Sequence, residues 1–314
     1  MKVLCITGWC RNGSTILGNV LNEVPGFFHV GELHFLWKNS IGRGANGLCG
    51  CGQALIDCPV WSPIISLEKP DGLTAEQYAD EVIRRQRATV RTRHTWRVLK
   101  RGLSGEDIRK HAVLMTRTYQ AIAASRQAEV IVDTTKIPGE AALLARLDGI
   151  TPYYVHLVRD PRAVAQSWQA PKDYVYALSA SRSTAYWTGF NVASEAITRR
   201  YPEQSLFLRY EDFIADPAGT VDELLRFCGA DPAGNPMSGS TVELNPNHTV
   251  TGNPDRFRTG LTEIRASDDS WRTKLPAPAR RAALALSWPL RRKYGYSTAN
   301  ADLSKEGSFH GSGA

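Results

Sequence analysis

Short apolar segments recur along the chain and are separated by longer amphipathic segments. Four of them show almost no alternation of apolar and polar residues, which is typical of parallel β-strands covered on both faces. They are KVLCIT at 2–7, EVIVD at 129–133, YYVHLV at 153–158 and SLFLRY at 205–210. Because helical patterns lie between them, the sequence predicts a three-layer α/β fold around a central parallel sheet.

The amphipathic segments carry apolar residues at the three- and four-residue spacing of helices. The first covers 14–24, and Pro25-Gly26 ends it. The segment FFHVGELHFLW at 27–37 predicts a short strand or an extended stretch that leads into a loop. Longer helical patterns lie near 74–98, 105–127, 180–200 and 217–229.

The pattern also indicates how the chain is organised. We expect one domain over 1–296, with 38–128 as a helical insertion after the first strand that shapes an acceptor pocket. Residues 231–275 are rich in Gly, Pro, Asn and Asp and predict an ordered loop over the sheet edge. The polar, Gly/Ser-rich stretch 297–314 predicts a flexible tail.

Charge narrows the class of ligand. The 314 residues carry a formal net charge of +7, which favours an anionic ligand. The arginine-rich stretch at 84–101 is more typical of a solvated helix face than of a nucleic-acid surface. No apolar run approaches the roughly 20 residues that span a bilayer, and the amino-terminal sequence does not resemble a signal peptide. These features predict a cytoplasmic protein without a membrane span.

Three of the six cysteines lie together in CGCGQALIDC. Cys49, Cys51 and Cys58 form a C-x-C-x6-C pattern with no clear fourth ligand nearby. This favours a Gly-rich turn with ordinary thiols, or one disulfide, over a zinc site. The sequence leaves all three alternatives open.

The first strand leads into GWCRNGST, which begins at Gly8. Gly8 and Gly13 have the spacing of a nucleoside-triphosphate P-loop, but Ser14 replaces its lysine and the cation lies earlier, at Arg11. The backbone N–H groups of 11–15 lie at a predicted helix N-terminus and suit an anion. Without the lysine and its magnesium, the loop fits a less charged group than a triphosphate, such as a sulfuryl group on a phosphate.

At this point two segments resemble the sulfotransferases that use 3′-phosphoadenosine-5′-phosphosulfate (PAPS). GWCRNGST resembles their 5′-phosphosulfate loop, and VHLVRDPRAVAQSW at 155–168 resembles their 3′-phosphate site. The resemblance implies a P-loop-like fold, PAPS as the donor and no metal requirement. The donor-binding residues that it implies are Arg11, Asn12, Gly13, Ser14 and Thr15 in the loop, and Arg159 and Ser167 after the third strand.

Further segments resemble the carbohydrate- and tyrosylprotein-like branch of this family. In HVGELHFLW the resemblance implies Glu32 as the general base, with His34 as the alternative. In VDTTK it implies that Lys136 contacts the transferring sulfuryl group. From the residues alone, Glu32 is also typical of a surface or helix-capping acid, and Lys136 of a structural salt bridge.

Weaker matches lie towards the carboxyl terminus. RYEDF at 209–213 resembles a cofactor-contacting step and implies Tyr210, although a core tyrosine fits the pattern as well. NHTVTGNPDRFRTG at 247–260 resembles the loop that closes over the nucleotide and implies Asn253 and Arg256. The R-K-G-x-x-G-D-W-K signature of the phenol and steroid branch is not present in the sequence.

The resulting hypothesis is a PAPS-dependent sulfotransferase that acts by in-line displacement on a hydroxyl of a small-molecule or glycan acceptor. The resemblance alone suggests an acceptor from bacterial secondary metabolism. Two alternatives predict different ligands: a small-molecule kinase with a degenerate loop would bind ATP and magnesium, and a non-catalytic basic protein would bind nucleic acid in a salt-sensitive manner.

Overall fold

The computed structural model describes residues 1–41, 46–169, 177–264 and 270–296. Its centre is a five-stranded sheet in the order β2-β3-β1-β4-β5, and every pair of neighbouring strands is parallel. The strands are β1 (Lys2–Thr7), β2 (Phe27–Gly31), β3 (Val130–Lys136), β4 (Thr151–Val158) and β5 (Ser205–Arg209). The α/β fold with a parallel sheet is therefore as the sequence predicts.

Each face of the sheet covers its own hydrophobic core. Along β1, Val3 and Cys5 pack into one core with the insertion, whereas Leu4 and Ile6 pack into the other. The two sets alternate because successive side chains of a strand point to opposite faces of the sheet. Both sets are buried, which explains why the strands appear in the sequence as continuous apolar runs and why the fold has three layers.

The helices connect the strands and cover both faces. In the described residues the α-helices are α1 (Ser14–Asn22), α2 (Leu36–Ser40), α3 (Trp61–Glu68), α4 (Ala75–Thr89), α5 (Thr95–Arg101), α6 (Glu106–Arg126), α7 (Pro138–Leu144), α8 (Pro161–Gln169), α9 (Ala180–Arg200), α10 (Tyr210–Ala215), α11 (Pro217–Phe227), α12 (Trp271–Lys274), α13 (Ala277–Ser287) and α14 (Leu290–Lys293). Short 3-10 helices lie at Leu33–Phe35, Thr92–His94, Pro202–Gln204, Pro232–Gly234 and Pro254–Phe257. None of the helices in the described part of the chain is long and apolar enough to cross a membrane.

The insertion differs from the prediction in its position and in one break. Because Phe27–Gly31 pairs with β3 as an edge strand, the helical insertion follows the second strand and not the first. The single helix predicted near 74–98 is divided into α4 and α5 by a 3-10 turn, and a further short helix, α3, precedes it. The arginine-rich stretch spans α4 and α5, and its exposed Arg84 pairs with Asp107 at 2.9 Å, whereas Arg85 is buried.

The region predicted as a loop over the sheet edge has more structure than expected. It contains an antiparallel pair, β6 (Thr241–Leu244) and β7 (Gly260–Glu263). Between these strands, Val250 pairs with the end of β2. The predicted tail at 297–314 lies outside the described residues.

The topology determines where a site can form. All five strands of the central sheet are parallel, so their carboxyl ends lie along one edge. The P-loop-like GWCRNGST segment follows β1, and Lys136 ends β3. Arg159 follows β4, and Tyr210 follows β5. Ligands of open α/β sheets bind at this edge, which is where the sequence-predicted chemistry converges.

Candidate active site

The loop between β1 and α1 depends on two glycines. Gly8 has φ +124° and Gly13 has φ +90°, which are conformations that other residues rarely adopt. A Cβ on Gly8 would lie 2.3 Å from the carbonyl oxygen of Leu157, and a Cβ on Gly13 would lie 2.2 Å from the ring of Tyr210. The loop therefore packs against β4 on one side and against Tyr210 on the other.

Asn12 fixes the same loop from behind. Its side-chain amide donates to the carbonyl oxygen of Leu157 at 2.8 Å, and its Oδ1 accepts from the backbone N–H of Ser14 at 3.3 Å. The side chain is almost completely buried and does not line the cavity described below. Asn12 thus orients the loop from behind. The resemblance implies a direct contact with PAPS instead.

Two cations at the site have left-handed backbone conformations. Arg11 has φ +71° and Lys136 has φ +65°. For a residue with a Cβ this conformation costs about 1–2 kcal/mol, and such strain is concentrated at functional sites. The packing of the two strand ends thus fixes both cations in orientations that an unconstrained chain would avoid.

Lys136 forms a buried ion pair with Glu32. Its Nζ lies 2.7 Å from Glu32 Oε1 and donates to the carbonyl oxygen of Thr134 at 2.5 Å. Burial alone would lower the pKa of Lys136, but the Glu32 carboxylate, together with Cys10 and Asp133, outweighs it and the pKa rises above its ordinary value. The lysine is therefore a fixed positive charge beside a carboxylate.

Arg159 extends from the end of β4 beside the loop. Its Nη1 donates to the carbonyl oxygen of Arg11 at 3.2 Å, and its guanidinium stacks on Tyr210 at 4.6 Å from the ring centre. Its Nε is buried and has no hydrogen-bond partner among the described residues. Burial raises the pKa of Tyr210 more than Arg159 lowers it, so the phenol stays protonated as a donor. A buried, unsatisfied guanidinium N–H is a group that a bound anion would complete.

These groups face one cavity of about 470 Å³. It lies at the carboxyl edge of the sheet and has the size of a ligand site. Most of the residues predicted from the sequence line it, namely Arg11, Gly13, Ser14, Thr15, Glu32, Lys136, Arg159, Ser167, Tyr210 and Asn253. The fold thus brings residues up to 242 positions apart in sequence, from Arg11 to Asn253, to the lining of one cavity.

Arg256 is not at this cavity. Its side chain is 1% exposed and donates to the carbonyl oxygens of Leu48 at 2.9 Å and Thr249 at 3.2 Å, and also to Asn46. The predicted nucleotide contact is replaced by a structural role, because the guanidinium is used to join two segments of the chain. Asn253, from the same sequence motif, does line the cavity.

His34 is separated from the ion pair. Its Nδ1 lies 2.9 Å from Glu140 Oε2, and the other oxygen of this carboxylate lies 2.9 Å from Nε2 of His111. Burial would raise the pKa of Glu140, but the two imidazoles outweigh it and lower that pKa far below its ordinary value. His34 borders a neighbouring cavity and is not part of the wall that contains Glu32.

Sequence reasoning missed an aromatic cluster at the cavity. Trp9 stacks on Trp168 with ring centres 5.5 Å apart, and it contacts Tyr186 at 5.1 Å and Phe190 at 4.7 Å. Trp9 and Phe190 line both this cavity and the neighbouring one. Trp9 directly precedes the loop cysteine and Trp168 directly follows Ser167, so proximity to the two motifs was the available signal.

Comparison with known proteins identifies the family. The family model described as "Sulfotransferase family" matches residues 4–233, which include the GWCRNGST loop and the segment at 155–168. The chain belongs to the sulfotransferase family. No individually curated protein matches it significantly.

Two solved structures support the sulfotransferase fold. The sulfotransferase domain of the olefin synthase from Synechococcus PCC 7002 is 21% identical, with a TM-score of 0.51 over 95% of this chain and 96% of that one. The sulfotransferase domain from the curacin biosynthetic pathway is 16% identical, with a TM-score of 0.52 over 94% and 97% of the two chains. At these identities the likeness concerns the fold.

The packing around the sulfotransferase loop gives a first testable prediction. Gly13→Ala should lower the free energy of unfolding more than Gly149→Ala, as measured by urea denaturation. Both glycines have positive φ, but only Gly13 faces a side chain within 4 Å. The backbone strain should cost about 1–2 kcal/mol in each variant, and overpacking against Tyr210 should add about 1–3 kcal/mol in Gly13→Ala. Equal losses would show that the loop does not pack against Tyr210 as described.

Proposed function

We propose that the protein transfers a sulfuryl group from PAPS to a hydroxyl group of a small-molecule or glycan acceptor. One observation carries this proposal: the anion-binding loop, Arg159 and the Glu32–Lys136 pair all face a single cavity. An anion site, a fixed cation and a proton acceptor are the groups that transfer from an anionic donor to a hydroxyl requires.

The residues present fit a donor with two separate phosphate groups. The backbone of Gly13 to Thr15 lies at the N-terminus of α1, where the backbone N–H groups and the helix dipole favour the phosphosulfate end. Arg159 and Ser167 line the cavity beyond the loop and suit the 3′-phosphate. The unsatisfied Nε of Arg159 is the clearest sign of an anion at that position.

In the proposed reaction, Glu32 accepts the proton of the acceptor hydroxyl as its oxygen attacks sulfur. The new oxygen–sulfur bond forms while the bond between sulfur and the phosphate oxygen breaks, and adenosine-3′,5′-bisphosphate leaves with that electron pair. Lys136 and Arg11 stabilise the charge on the sulfuryl oxygens and on the departing phosphate. The chain's own cations thus supply what magnesium supplies to a nucleoside triphosphate.

Glu32 fits the role of base better than His34. It lies in the wall of the donor cavity beside Lys136, and its side chain is 16% exposed, so an acceptor can reach it. His34 is held by Glu140 and borders the neighbouring cavity. His34 stays the alternative base, and the two residues are compared by mutation below.

The acceptor is proposed to enter through the neighbouring cavity, of about 810 Å³. The insertion forms much of the wall of this cavity. The apolar side chains that line the cavity include Phe35, Ile83 and Ile137. Exposed arginines, among them Arg87 and Arg91, lie at its edge. These surroundings suit an acceptor with an apolar body and a polar or anionic group.

A ligand panel distinguishes the proposal from its alternatives. Adenosine-3′,5′-bisphosphate at 100 times its Kd should stabilise the folded protein by about 2.7 kcal/mol, which a thermal shift detects. Stabilisation by ATP–magnesium but not by adenosine-3′,5′-bisphosphate would indicate a kinase. Stabilisation by oligonucleotides alone, lost at higher salt, would indicate a nucleic-acid-binding protein.

The 3′-phosphate contact gives a second prediction. Arg159→Ala should weaken binding of adenosine-3′,5′-bisphosphate about 10- to 100-fold in calorimetry, because a charged hydrogen-bond donor contributes about 1.5–3 kcal/mol. Arg226→Ala is the matched control, since Arg226 is exposed and pairs with Asp222 outside the cavity. Unchanged affinity in Arg159→Ala would remove this residue from the donor site.

A further inference from the structure

Three cysteines and one histidine converge outside the proposed reaction cavity. The ligand atoms of Cys49, Cys51, Cys58 and His248 all lie within 4.8 Å of one another. His248 is 190 residues from Cys58 in sequence. The fourth ligand that the C-x-C-x6-C pattern lacks is therefore supplied by the fold.

Four of the six separations between the ligand atoms lie close to those around one tetrahedral ion. Cys58 Sγ lies 3.4 Å from Cys49 Sγ and 3.9 Å from Cys51 Sγ. His248 Nδ1 lies 3.3 Å from Cys58 Sγ and 3.8 Å from Cys49 Sγ. With Zn–S bonds of about 2.3 Å and Zn–N bonds of about 2.0 Å, tetrahedral ligands lie about 3.5–3.8 Å apart. A disulfide, at about 2.05 Å, would use two sulfurs and leave the third thiol and the imidazole unexplained.

We propose that these four residues bind one Zn²⁺ ion in a structural Cys₃His site. Thiolate and imidazole ligands in a tetrahedral arrangement favour zinc over harder divalent cations. Four protein ligands leave no position for a substrate or a reactive water, which is typical of structural sites. None of the four residues lines the 470 Å³ cavity, so the ion takes no part in the proposed sulfuryl transfer.

The backbone around the cysteines is arranged to bring the ligands together. The N–H of Cys49 donates to the carbonyl oxygen of Gln53 at 2.7 Å, which closes a tight turn in which Gly52 has φ +88°. A Cβ on Gly50 would lie 2.0 Å from Oδ1 of Asn247, so this segment approaches the histidine segment as closely as glycine permits.

Other contacts orient the histidine segment. Trp61, which is fully buried, donates from Nε1 to the carbonyl oxygen of His248 at 2.7 Å. Arg256 joins the carbonyl oxygens of Leu48 and Thr249, the neighbours of two of the ligands. The ligand backbones are thus held by several independent hydrogen bonds, and such supporting contacts are typical of metal sites.

The position of the site explains what the ion would stabilise. Two residues after His248, the N–H of Val250 donates to the carbonyl oxygen of Val30 at 2.8 Å, and the carbonyl oxygen of Val250 accepts from the N–H of Glu32 at 2.7 Å. The next residues, 251–253, line the cavity. Zinc would therefore tie the insertion to the segment that supports both Glu32 and one wall of the cavity. This inference does not depend on the proposed reaction.

Metal analysis of the purified full chain tests the site. Protein prepared without chelators should contain about one zinc per chain, and Cys58→Ser and His248→Ala should each retain less than about a tenth of that. Cys228→Ser is the matched control, because Cys228 is a buried free cysteine outside the cluster and its loss should leave the zinc content unchanged.

The wild-type chain provides a test that does not depend on how the variants fold. Cobalt-substituted protein should show the visible absorption of tetrahedral thiolate-bound cobalt, and an alkylating reagent should modify Cys49, Cys51 and Cys58 only after a chelator is added. Three results would overturn the proposal: wild-type protein without stoichiometric metal after growth with zinc, a disulfide among the three cysteines, or equal metal loss in Cys58→Ser and Cys228→Ser.

Discussion

Glu32→Gln should lower turnover about 10²- to 10⁴-fold, the range over which a general base contributes. The amide has nearly the same size as the carboxylate but does not accept a proton at neutral pH. Glu32 lies beside Lys136, the proposed sulfuryl-binding cation, and not at the proposed 3′-phosphate position, so the affinity for adenosine-3′,5′-bisphosphate should change little. Steady-state kinetics with PAPS and a responsive acceptor, together with calorimetry, measure both quantities.

His34→Gln is the matched comparison for this prediction. It also replaces a candidate base with an amide, but His34 is held by Glu140 and borders the neighbouring cavity. We expect near-normal turnover in this variant. The opposite pattern, with turnover retained in Glu32→Gln and lost in His34→Gln, would assign the base to the imidazole.

Lys136→Met should lower turnover about 10²- to 10³-fold, which is the usual cost of removing one preorganised group that stabilises transition-state charge. Methionine keeps the length and much of the apolar volume of the side chain while it removes the positive charge beside Glu32. Since the backbone at this position has φ +65°, the strain is the same in both proteins. The kcat values of the two proteins in the same acceptor assay measure the effect.

Lys38→Met provides the control for charge. Lys38 lines the same cavity but is exposed. If a fixed charge at the reacting group is what matters, Lys38→Met should lower turnover much less than Lys136→Met. Equal losses in the two variants would mean that overall positive potential, and not the position of Lys136, supports the reaction.

The sheet was predictable because its strands are mostly apolar and, apart from the edge strand β5, are largely buried on both faces. Lys2–Thr7 is the strand predicted at 2–7, and the other buried runs agree to within a few residues at their ends. Phe27–Gly31 was ambiguous because five residues are too few to distinguish an edge strand from an extended stretch. Its pairing with β3 could be seen only in the structure, and that pairing moves the insertion to follow the second strand.

The site was predictable to the extent that its chemistry lies in continuous motifs. The loop and Arg159 follow strands, and Lys136 ends one, so parallel topology brings these residues to the same edge of the sheet. The roles of Asn12 and Arg256 were not accessible, because the same residue type serves a ligand or a backbone carbonyl depending on packing.

The contribution of His248 to the cysteine cluster was equally hidden from the sequence. The histidine is 190 residues from Cys58, with β3, β4 and β5 between them in sequence, and no local spacing connects the two. The fold places it beside Cys58, because Val250 pairs both with the end of β2 and with Cys49.

A crystal structure of the complex with adenosine-3′,5′-bisphosphate tests the central claim most directly. We predict the 5′-phosphate on the backbone N–H groups of 11–15 and the 3′-phosphate within hydrogen-bond distance of Arg159 and Ser167. The end of the nucleotide that carries sulfate in PAPS should then face Lys136 and Glu32. A nucleotide bound elsewhere, or bound in this cavity with its 5′-phosphate away from Lys136, would contradict the proposed sulfuryl transfer.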